Sequence, residues 1–312
     1  MNNAQIVFAT CVGAGVGLLR FQKFDIVLID GVAQQVEPET LIPLTKGCQR
    51  AILIGDHAQP RASVSKHACV TEFDVSLFER NYDKVHGDSV AKILLDIQYH
   101  TQPEINDFSS KAFYRSQLQS TGHELKLPLS KFPWPRKHSM VFVQSHSQED
   151  LGYSSKSNPG QANICRQICS MLMSHPGSAQ DGRNGPTNAM RVAIVTPYSR
   201  QQQHLKRSIP AHDIYTIDEF HGKQADIVIF VTVRCNAHFD IGCLNDQRSI
   251  TSVMTGAKVG MIFIGDRSTL CEAPPSCNIS EAKATWKQIL GSCANVTLQP
   301  SNTSKQLVLR RK

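Results

Sequence analysis

Asp30 is the residue whose position most directly suggests chemistry. It ends a short apolar run within the stretch Phe24–Gln34, and such a run, bounded by turn residues, is typical of a strand buried on both faces. Ligands of α/β proteins lie at the carboxyl ends of such strands, so Asp30 is placed where a magnesium–nucleotide complex would be held. The next residue is Gly31, where a site of this kind would normally have a second carboxylate.

A glycine-rich turn is the second chemical signal. The apolar residues from Ile6 to Ala9 predict a short strand, and Thr-Cys-Val-Gly-Ala-Gly follows at residues 10–15. Such a turn either lets a phosphate approach main-chain N–H groups or simply joins a strand to a helix. The residues alone leave both interpretations open.

A parallel βαβ unit would hold these residues. A helix from Glu37 to Leu44, with a proline in its first turn, precedes a second buried strand that starts at Arg50 and ends in Gly-Asp-His at residues 55–57. An amphipathic helix is predicted at residues 74–80. Extended chain over residues 92–99 then leads to a helix that begins at Pro103.

A second series of strands follows a loop-rich stretch at residues 115–160. A helix is predicted over 161–173, a surface loop over 174–190, and a last helix over 281–290 before a frayed tail. Polar residues follow the strands predicted at 139–144, 191–195, 214–217, 226–233 and 259–265. This alternation predicts an α/β protein with a second parallel sheet. We therefore expect domains at 1–95 and 96–275, with a C-terminal helix and tail at 276–312.

Composition narrows the class of protein. The chain has 312 residues, enough for two domains, and a net charge of +7, which suits a polyanionic partner. Its ten cysteines include no C-x-x-C pair, which favours free thiols over a zinc site. No secretory signal and no apolar run of about 20 residues is present, so we expect a cytoplasmic protein without a membrane partner.

The order of these segments resembles the superfamily 1 helicases, in particular the up-frameshift RNA helicases that regulate nonsense transcripts. The resemblance covers about residues 4–298. The segments that carry it are Thr10–Gly15, Leu28–Asp30, Gln34, Glu37–Glu39, Gly55–His57, Gln59, Ser76–Arg80, Gln98–Tyr99, Pro103, Thr196–Tyr198, Asp218, Phe220, Gly222, Asp226, Gly242, Leu244–Asp246 and Arg248.

The resemblance implies two RecA-like domains with ATP and magnesium between them and single-stranded RNA or DNA across the top. It further implies that the first domain is truncated and the second complete, because the family's phosphate-binding loop, G-x-x-x-x-G-K-[ST], precedes every segment present here. Gly222-Lys223 is no substitute, because Ile217 stands where the first glycine is required and Gln224 where Ser or Thr is required.

The remaining catalytic positions are only partly retained. By resemblance, Asp30 would hold the magnesium ion and Gln59 would sense the γ-phosphate. Gly31 replaces the water-orienting glutamate of the family, and Pro60-Arg61-Ala62 replaces Leu-Gly-Pro. Glycine can neither accept a proton nor position water.

Both arginines that would contact the γ-phosphate are also replaced. His100 stands at one position and Gly256 at that of the arginine finger, a group worth about 10³–10⁵ in rate. Arg248 remains among the nucleotide-binding positions. Tyr99 would stack on adenine by resemblance, or it is a hinge aromatic packed against Pro103.

The turns that would track nucleic acid are better retained. By resemblance, Thr10, Val12 and Gly13 in the first domain and Thr196, Pro197 and Tyr198 in the second contact the sugar–phosphate backbone. Alternatively, these residues only preserve the turns of the fold. The family's Gln-Gly-Arg-Glu has become His-Gly-Lys-Gln at residues 221–224. This change weakens the coupling to ribose and phosphate that the resemblance implies for these residues.

Three hypotheses for function follow. The first is a non-catalytic, helicase-like module that binds single-stranded RNA, DNA or a protein partner. The second is an active ATP-dependent 5′–3′ RNA or DNA helicase whose phosphate-binding loop lies in upstream sequence. The third is a decaying copy without a selected function. Because four catalytic features are missing together, we favour the first.

Overall fold

A parallel sheet forms the centre of each of two units, Met1–Leu95 and Asp96–Lys312. The structure is a computed structural model, and it describes residues 4–82, 91–122, 126–127, 130–152, 155–173, 190–274 and 279–298. The predicted loop at 174–190, apart from Met190, and the predicted tail beyond residue 298 lie outside these residues. The two units are described separately.

The first unit contains the predicted βαβ arrangement. Strand β1 (Ile26–Asp30) pairs in parallel with β2 (Arg50–Ile54), and helix α2 (Glu37–Leu44) joins them. Helix α1 (Cys11–Ala14) precedes this unit, and α3 (Lys66–Val70) and α4 (Leu77–Tyr82) follow it. Short 3-10 helices lie at Gly17–Leu19 and Val32–Gln34.

The prediction that β1 and β2 are buried on both faces is wrong. Val27 and Ile29 of β1 are buried, whereas Ile26 and Leu28 are 62% and 59% exposed. Helical residues cover one face of the sheet, and no described residue covers the other. An apolar run indicates that a strand can be buried on both faces, but such burial also requires a layer of structure packed on each face.

The predicted strand from Ile6 to Ala9 is also wrong. These residues form no strand and belong to no sheet, and Ile6 and Phe8 are exposed. A strand requires a neighbour for its backbone hydrogen bonds, and none of the described strands runs beside this segment. The segment leads instead into α1, which begins directly after Thr10.

The second unit contains a six-stranded parallel sheet in the order β10-β5-β9-β8-β6-β7. Its strands are β5 (Met140–Gln144), β6 (Val192–Thr196), β7 (Asp213–Thr216), β8 (Ala225–Val231), β9 (Ala257–Gly265) and β10 (Ala294–Val296). The central strands are almost wholly apolar and fully buried, as the sequence predicts. A separate two-stranded ribbon pairs β3 (Ile97–Gln98) with β4 (Gln119–Ser120).

Helices cover both faces of this sheet. Helices α5 (Pro103–Phe113), α9 (Gln247–Thr255) and α11 (Glu281–Ser292) contribute Ile105, Val253 and Trp286 to the core on one face. Helices α6 (Pro159–Met173) and α7 (Ser199–Ser208) contribute Ile168 and Leu205 to the core on the other. Short helices α8 (Ile217–Phe220) and α10 (Arg267–Cys271) begin just after β7 and β9.

Candidate nucleic-acid interface and remnant nucleotide site

Asp30 is exposed at the carboxyl end of β1, where the sequence places it. Gly31 follows with φ of +69°, and a Cβ built there would meet nothing within 4 Å. A side chain therefore fits in space, but its backbone would be left-handed, which costs about 1–2 kcal/mol for a residue with a Cβ. The backbone at this position suits glycine better than the family's glutamate.

The end of β2 packs closely against the turn after β1. A Cβ at Gly55 would lie 3.0 Å from the backbone nitrogen of Ala33, so only glycine permits this approach. Asp56 then accepts a hydrogen bond from the Ala58 N–H at 2.9 Å, and the Gln59 N–H donates to the Asp56 carbonyl at 3.3 Å. Gln59 is thus held, half-buried, in a turn on this unit.

Arg61, one of the three departures that follow Gln59, forms ion pairs within the first unit. Its guanidinium contacts Glu79 at 2.5 Å and Asp74 at 3.2 Å, and the hydrogen bond to Glu79 raises its pKa. The segment after Gln59 is therefore tied to the start of α4. Because Arg61 is about one-third exposed, solvent screening keeps the contribution of these pairs to stability small.

Among the described residues, donors for a magnesium–ATP complex are few. They contain no group of three or more His, Cys, Asp or Glu side chains able to hold a metal ion. Asp30 contributes a single carboxylate, and the sequence has no phosphate-binding loop. These donors do not fit the metal–nucleotide complex that the resemblance implies, so we derive no catalytic step through it.

Tyr99 and His100 lie on the surface of the second unit. Tyr99 is 65% exposed, and its ring centroid is 6.4 Å from that of His100. Just beyond them, the Gln102 N–H donates to the Lys258 carbonyl at 2.7 Å, which fixes the start of α5 against β9. Tyr99 is thus available for stacking. His100, which the resemblance places where a γ-phosphate arginine would be, lacks the two-pronged donor of an arginine.

Gly256 is buried at the end of α9. A Cβ at this position would lie 2.4 Å from Cε1 of Phe220 and 3.0 Å from the Lys223 carbonyl oxygen. The position that the resemblance assigns to the arginine finger is therefore packed against a core aromatic ring. At the other end of the helix, Arg248 is half-buried, and its N–H donates to the Asp246 side chain, which caps α9.

The residues near the start of the chain that are predicted to contact nucleic acid form a capped turn. The Thr10 hydroxyl accepts a hydrogen bond from the Gly13 N–H at 3.0 Å, and a Cβ on Gly13 would approach that hydroxyl to 2.8 Å. Val12 is half-exposed on the first turn of α1. This geometry suits a capping side chain followed by a glycine, and it leaves Val12 facing solvent.

The residues of the second unit that are predicted to contact nucleic acid differ in their exposure to solvent. Thr196 is fully buried, and its hydroxyl donates to the Val231 carbonyl at 3.1 Å, so this hydroxyl links β6 to β8. Pro197 and Tyr198 are half-buried at the end of β6. Burial raises the pKa of Tyr198, which keeps its phenol neutral.

A buried arginine that sequence reasoning missed lies beside Tyr198. Arg234 is 1% exposed, and it contacts Asp240 at 2.5 Å and Glu149 at 3.2 Å, the latter as an ion pair without hydrogen-bond geometry. A Cβ at Gly242 would lie 2.7 Å from the Tyr198 hydroxyl and 3.4 Å from Arg234. A charged residue soon after the apolar run at 227–231 was the available sequence signal.

The turn before Arg234 is strained. Val233 has φ of +70°, a left-handed conformation that is rare for a β-branched residue. Its N–H donates to the Gln161 side chain at 2.7 Å, and its carbonyl accepts from the Asn158 side chain at 2.9 Å. Such conformations persist where surrounding contacts over-determine them, and here α6 provides those contacts.

Asn158 connects this turn to the one that carries Tyr198. Its side-chain nitrogen also donates to the Ser147 carbonyl at 2.7 Å, and its oxygen accepts from the Gln161 N–H at the start of α6. Its own N–H donates to Gln201, three residues beyond Tyr198, at 2.7 Å. The turns after β6 and β8 are therefore held by one buried hydrogen-bond network.

Asn158→Asp is expected to lower the free energy of unfolding of the second unit by about 2 kcal/mol, because a buried carboxylate would face two carbonyl oxygens. Aspartate keeps the cap of α6, so only the two donated bonds are lost. Urea unfolding followed by tryptophan fluorescence measures the change. Ser280→Ala, which removes the cap of α11, is the control for loss of a cap alone. An Asn158→Asp midpoint equal to that of the unaltered chain would contradict the assignment.

The sheet and its turns define the class of protein. A parallel sheet with helices on both faces and polar turns at the carboxyl ends of its strands is a RecA-like α/β fold, in which ligands bind at those ends. Among the described residues, no helix has the length and apolarity needed to cross a bilayer.

Comparison with known proteins identifies the family. Two family models, each described as an AAA domain, match residues 1–66 and 73–268. Regulator of nonsense transcripts 1 of Dictyostelium discoideum is 32% identical across 96% of this chain and 23% of its own length. The ATP-dependent helicase NAM7 of Saccharomyces cerevisiae is 33% identical across 86% of this chain and 28% of its own length. The solved structure of Arterivirus nonstructural protein 10 (helicase) with DNA is 12% identical, with a TM-score of 0.41, and covers 85% of this chain and 43% of its own.

The chain belongs to the AAA domain family, and its resemblance to helicases of the nonsense-transcript regulator type is confirmed. It spans about a quarter of the length of the two curated relatives named above.

Proposed function

We propose that this chain is a non-catalytic member of the helicase family that binds single-stranded RNA through the turns at its strand ends. The observation that carries the first part is the packing of Phe220 against Gly256, which leaves no room for an arginine finger. Gly31 and His100 supply no substitute for the missing catalytic groups. A cytoplasmic setting is part of the proposal.

RNA binding is supported by the turns that the resemblance assigns to nucleic-acid contact. The turn at Thr196–Tyr198 is joined to the turn after β8 through Gln201 and Asn158, and the cap at Thr10 holds the first turn. Contacts of such turns with a sugar–phosphate backbone give affinity without sequence preference. The net charge of +7 suits this ligand, and its binding would weaken as salt is raised.

Two assays on the purified chain test this function. We expect filter binding to detect salt-sensitive affinity for a poly-U strand, with poly-dT as the comparison that separates RNA from DNA. We expect no RNA-stimulated ATP hydrolysis, with Asp30→Ala as the control for background. Absence of salt-sensitive binding would remove the RNA-binding proposal, and ATP hydrolysis abolished by Asp30→Ala would remove the non-catalytic one.

An active ATP-dependent helicase is the second candidate. It is favoured by the relatives, one of which is named an ATP-dependent helicase and which are about three to four times as long as this chain. The phosphate-binding loop would then lie in sequence beyond the chain. Even with that loop supplied, Gly31, His100 and Gly256 would remain, so the same ATPase assay on a longer chain separates the two candidates.

A further inference from the structure

A basic cleft beside α1 in the first unit has no role in the turns described above. Its volume is about 590 Å³. None of the described residues that line it is acidic. The lining side chains of interest are Val12, Val16, Arg20, Phe21, Lys23 and Lys46.

Phe21 gives the cleft an exposed aromatic ring. The side chain is 84% exposed, so it contributes little to the core of this unit. The Arg20 guanidinium carbon lies 5.3 Å from the ring centroid, within the range of a cation–π contact. A ring held beside a guanidinium and open to solvent is a surface on which a flat, electron-rich base can stack.

The cations of the cleft are held in place by the backbone around them. The Lys46 amine donates to the Arg20 carbonyl at 2.6 Å, which joins the end of α2 to the turn that carries Phe21. Gly47, with φ of +86°, turns the chain beside the Lys23 side chain. Three positively charged side chains therefore line the cleft together with Phe21.

We propose that this cleft is a nucleotide subsite for single-stranded RNA, in which Phe21 stacks on a base while Arg20, Lys23 and Lys46 neutralise the flanking phosphates. The inference rests on the proposed function and extends it beyond the Thr10–Gly13 turn. Two features favour nucleic acid: the cleft pairs an aromatic ring with cations, and it continues from Val12 of that turn. An acidic peptide or an anionic membrane would use the cations but would not require a base-stacking ring.

The ring is tested with the full chain and two short strands of equal length, poly-U and an abasic sugar–phosphate strand. Phe21→Ala is expected to weaken poly-U binding about tenfold, because a stacked base is lost, and to leave abasic-strand binding within about twofold. Phe21→Tyr should restore poly-U binding. Phe73→Ala, at an exposed phenylalanine of the same unit outside the cleft, is the matched control and should bind like the unaltered chain.

The cations are tested through salt dependence. Lys23→Gln is expected to reduce the slope of log Kd against log salt by about 1 for both strands, since one phosphate contact is lost. Arg50→Gln removes an exposed charge of the same unit outside the cleft and should leave the slope unchanged.

Several results would overturn the subsite. The subsite is contradicted if the unaltered chain binds poly-U and Phe21→Ala does not weaken that binding. It is also contradicted if Phe21→Ala weakens binding equally on the poly-U and abasic strands. If Phe21→Ala lost binding to phosphatidylserine vesicles while its poly-U binding stayed unchanged, the cleft would be assigned to a membrane surface instead. If the unaltered chain binds poly-U without salt dependence or not at all, the proposed function fails first, and the subsite fails with it.

Discussion

Arg234→Met is expected to lower the free energy of unfolding of the second unit by about 3–5 kcal/mol, because it removes the nearest ion-pair partner of a buried carboxylate. Glu149 is almost fully buried, and its remaining partners are the Cys235 N–H at 2.9 Å, the Asn236 side chain at 3.3 Å and Lys156 at 3.7 Å. These partners place the expected loss toward the lower end of the range. Methionine keeps most of the apolar stem, so lost packing contributes little.

Urea unfolding followed by tryptophan fluorescence measures this loss, since both tryptophans lie in the second unit and Trp286 is fully buried. The double variant Arg234→Met/Glu149→Gln removes the unpaired charge and should recover more than half of the loss. Asp240→Asn should cost under about 1 kcal/mol, because that carboxylate is largely exposed. Equal losses from Arg234→Met and the double variant would show that the ion pair is not the cause.

The same variant has a functional consequence under the proposed RNA-binding role. Arg234 and Tyr198 both lie against Gly242, so the arginine helps to fix the position of the tyrosine at the end of β6. A variant that retains its fold but shows weaker poly-U binding would indicate that the turn has moved. Its slope of affinity against salt should stay unchanged, because Arg234 is neutralised by Glu149 and Asp240 and is not available to a phosphate.

Much of the fold could be predicted from the sequence because buried parallel strands are nearly continuous apolar runs. The strands around Ile194, Ile229 and Ile262 are of this kind, and each is found close to its predicted position. The same signal failed at Ile6–Ala9 and on one face of β1. An apolar run shows that a strand could be buried, but it carries no information about whether a neighbouring strand or layer is present.

The buried polar network could not be predicted from local pattern. Asn158 and Val233 are 75 positions apart, and an asparagine before Pro159 indicates only a helix cap. The left-handed backbone of Val233 runs against the preference of a β-branched residue, so it is visible only in the structure. The glycines were more informative: the resemblance singled out Gly242, and the structure shows the close approach that requires it.

Gly256→Arg is expected to destabilise the second unit by about 3 kcal/mol and to restore no ATP hydrolysis, even when combined with Gly31→Glu and His100→Arg. The first side-chain atom at this position would lie 2.4 Å from Cε1 and 2.9 Å from Cζ of Phe220, and 3.0 Å from a backbone carbonyl oxygen. Phe220 is 1% exposed in the core on one face of the sheet, so its ring cannot move without displacing neighbours. Overpacking of this kind costs about 1–3 kcal/mol, occasionally more.

Gly256→Ala separates the two causes in this prediction, because alanine introduces the clashing Cβ without the guanidinium. We expect alanine to produce most of the loss of stability, measured by the shift of the urea midpoint of tryptophan fluorescence. An alanine variant as stable as the unaltered chain would show that the packing around Phe220 yields easily. Position 256 could then accept an arginine, and ATP hydrolysis by the triple variant would place this chain one short series of substitutions from an active enzyme.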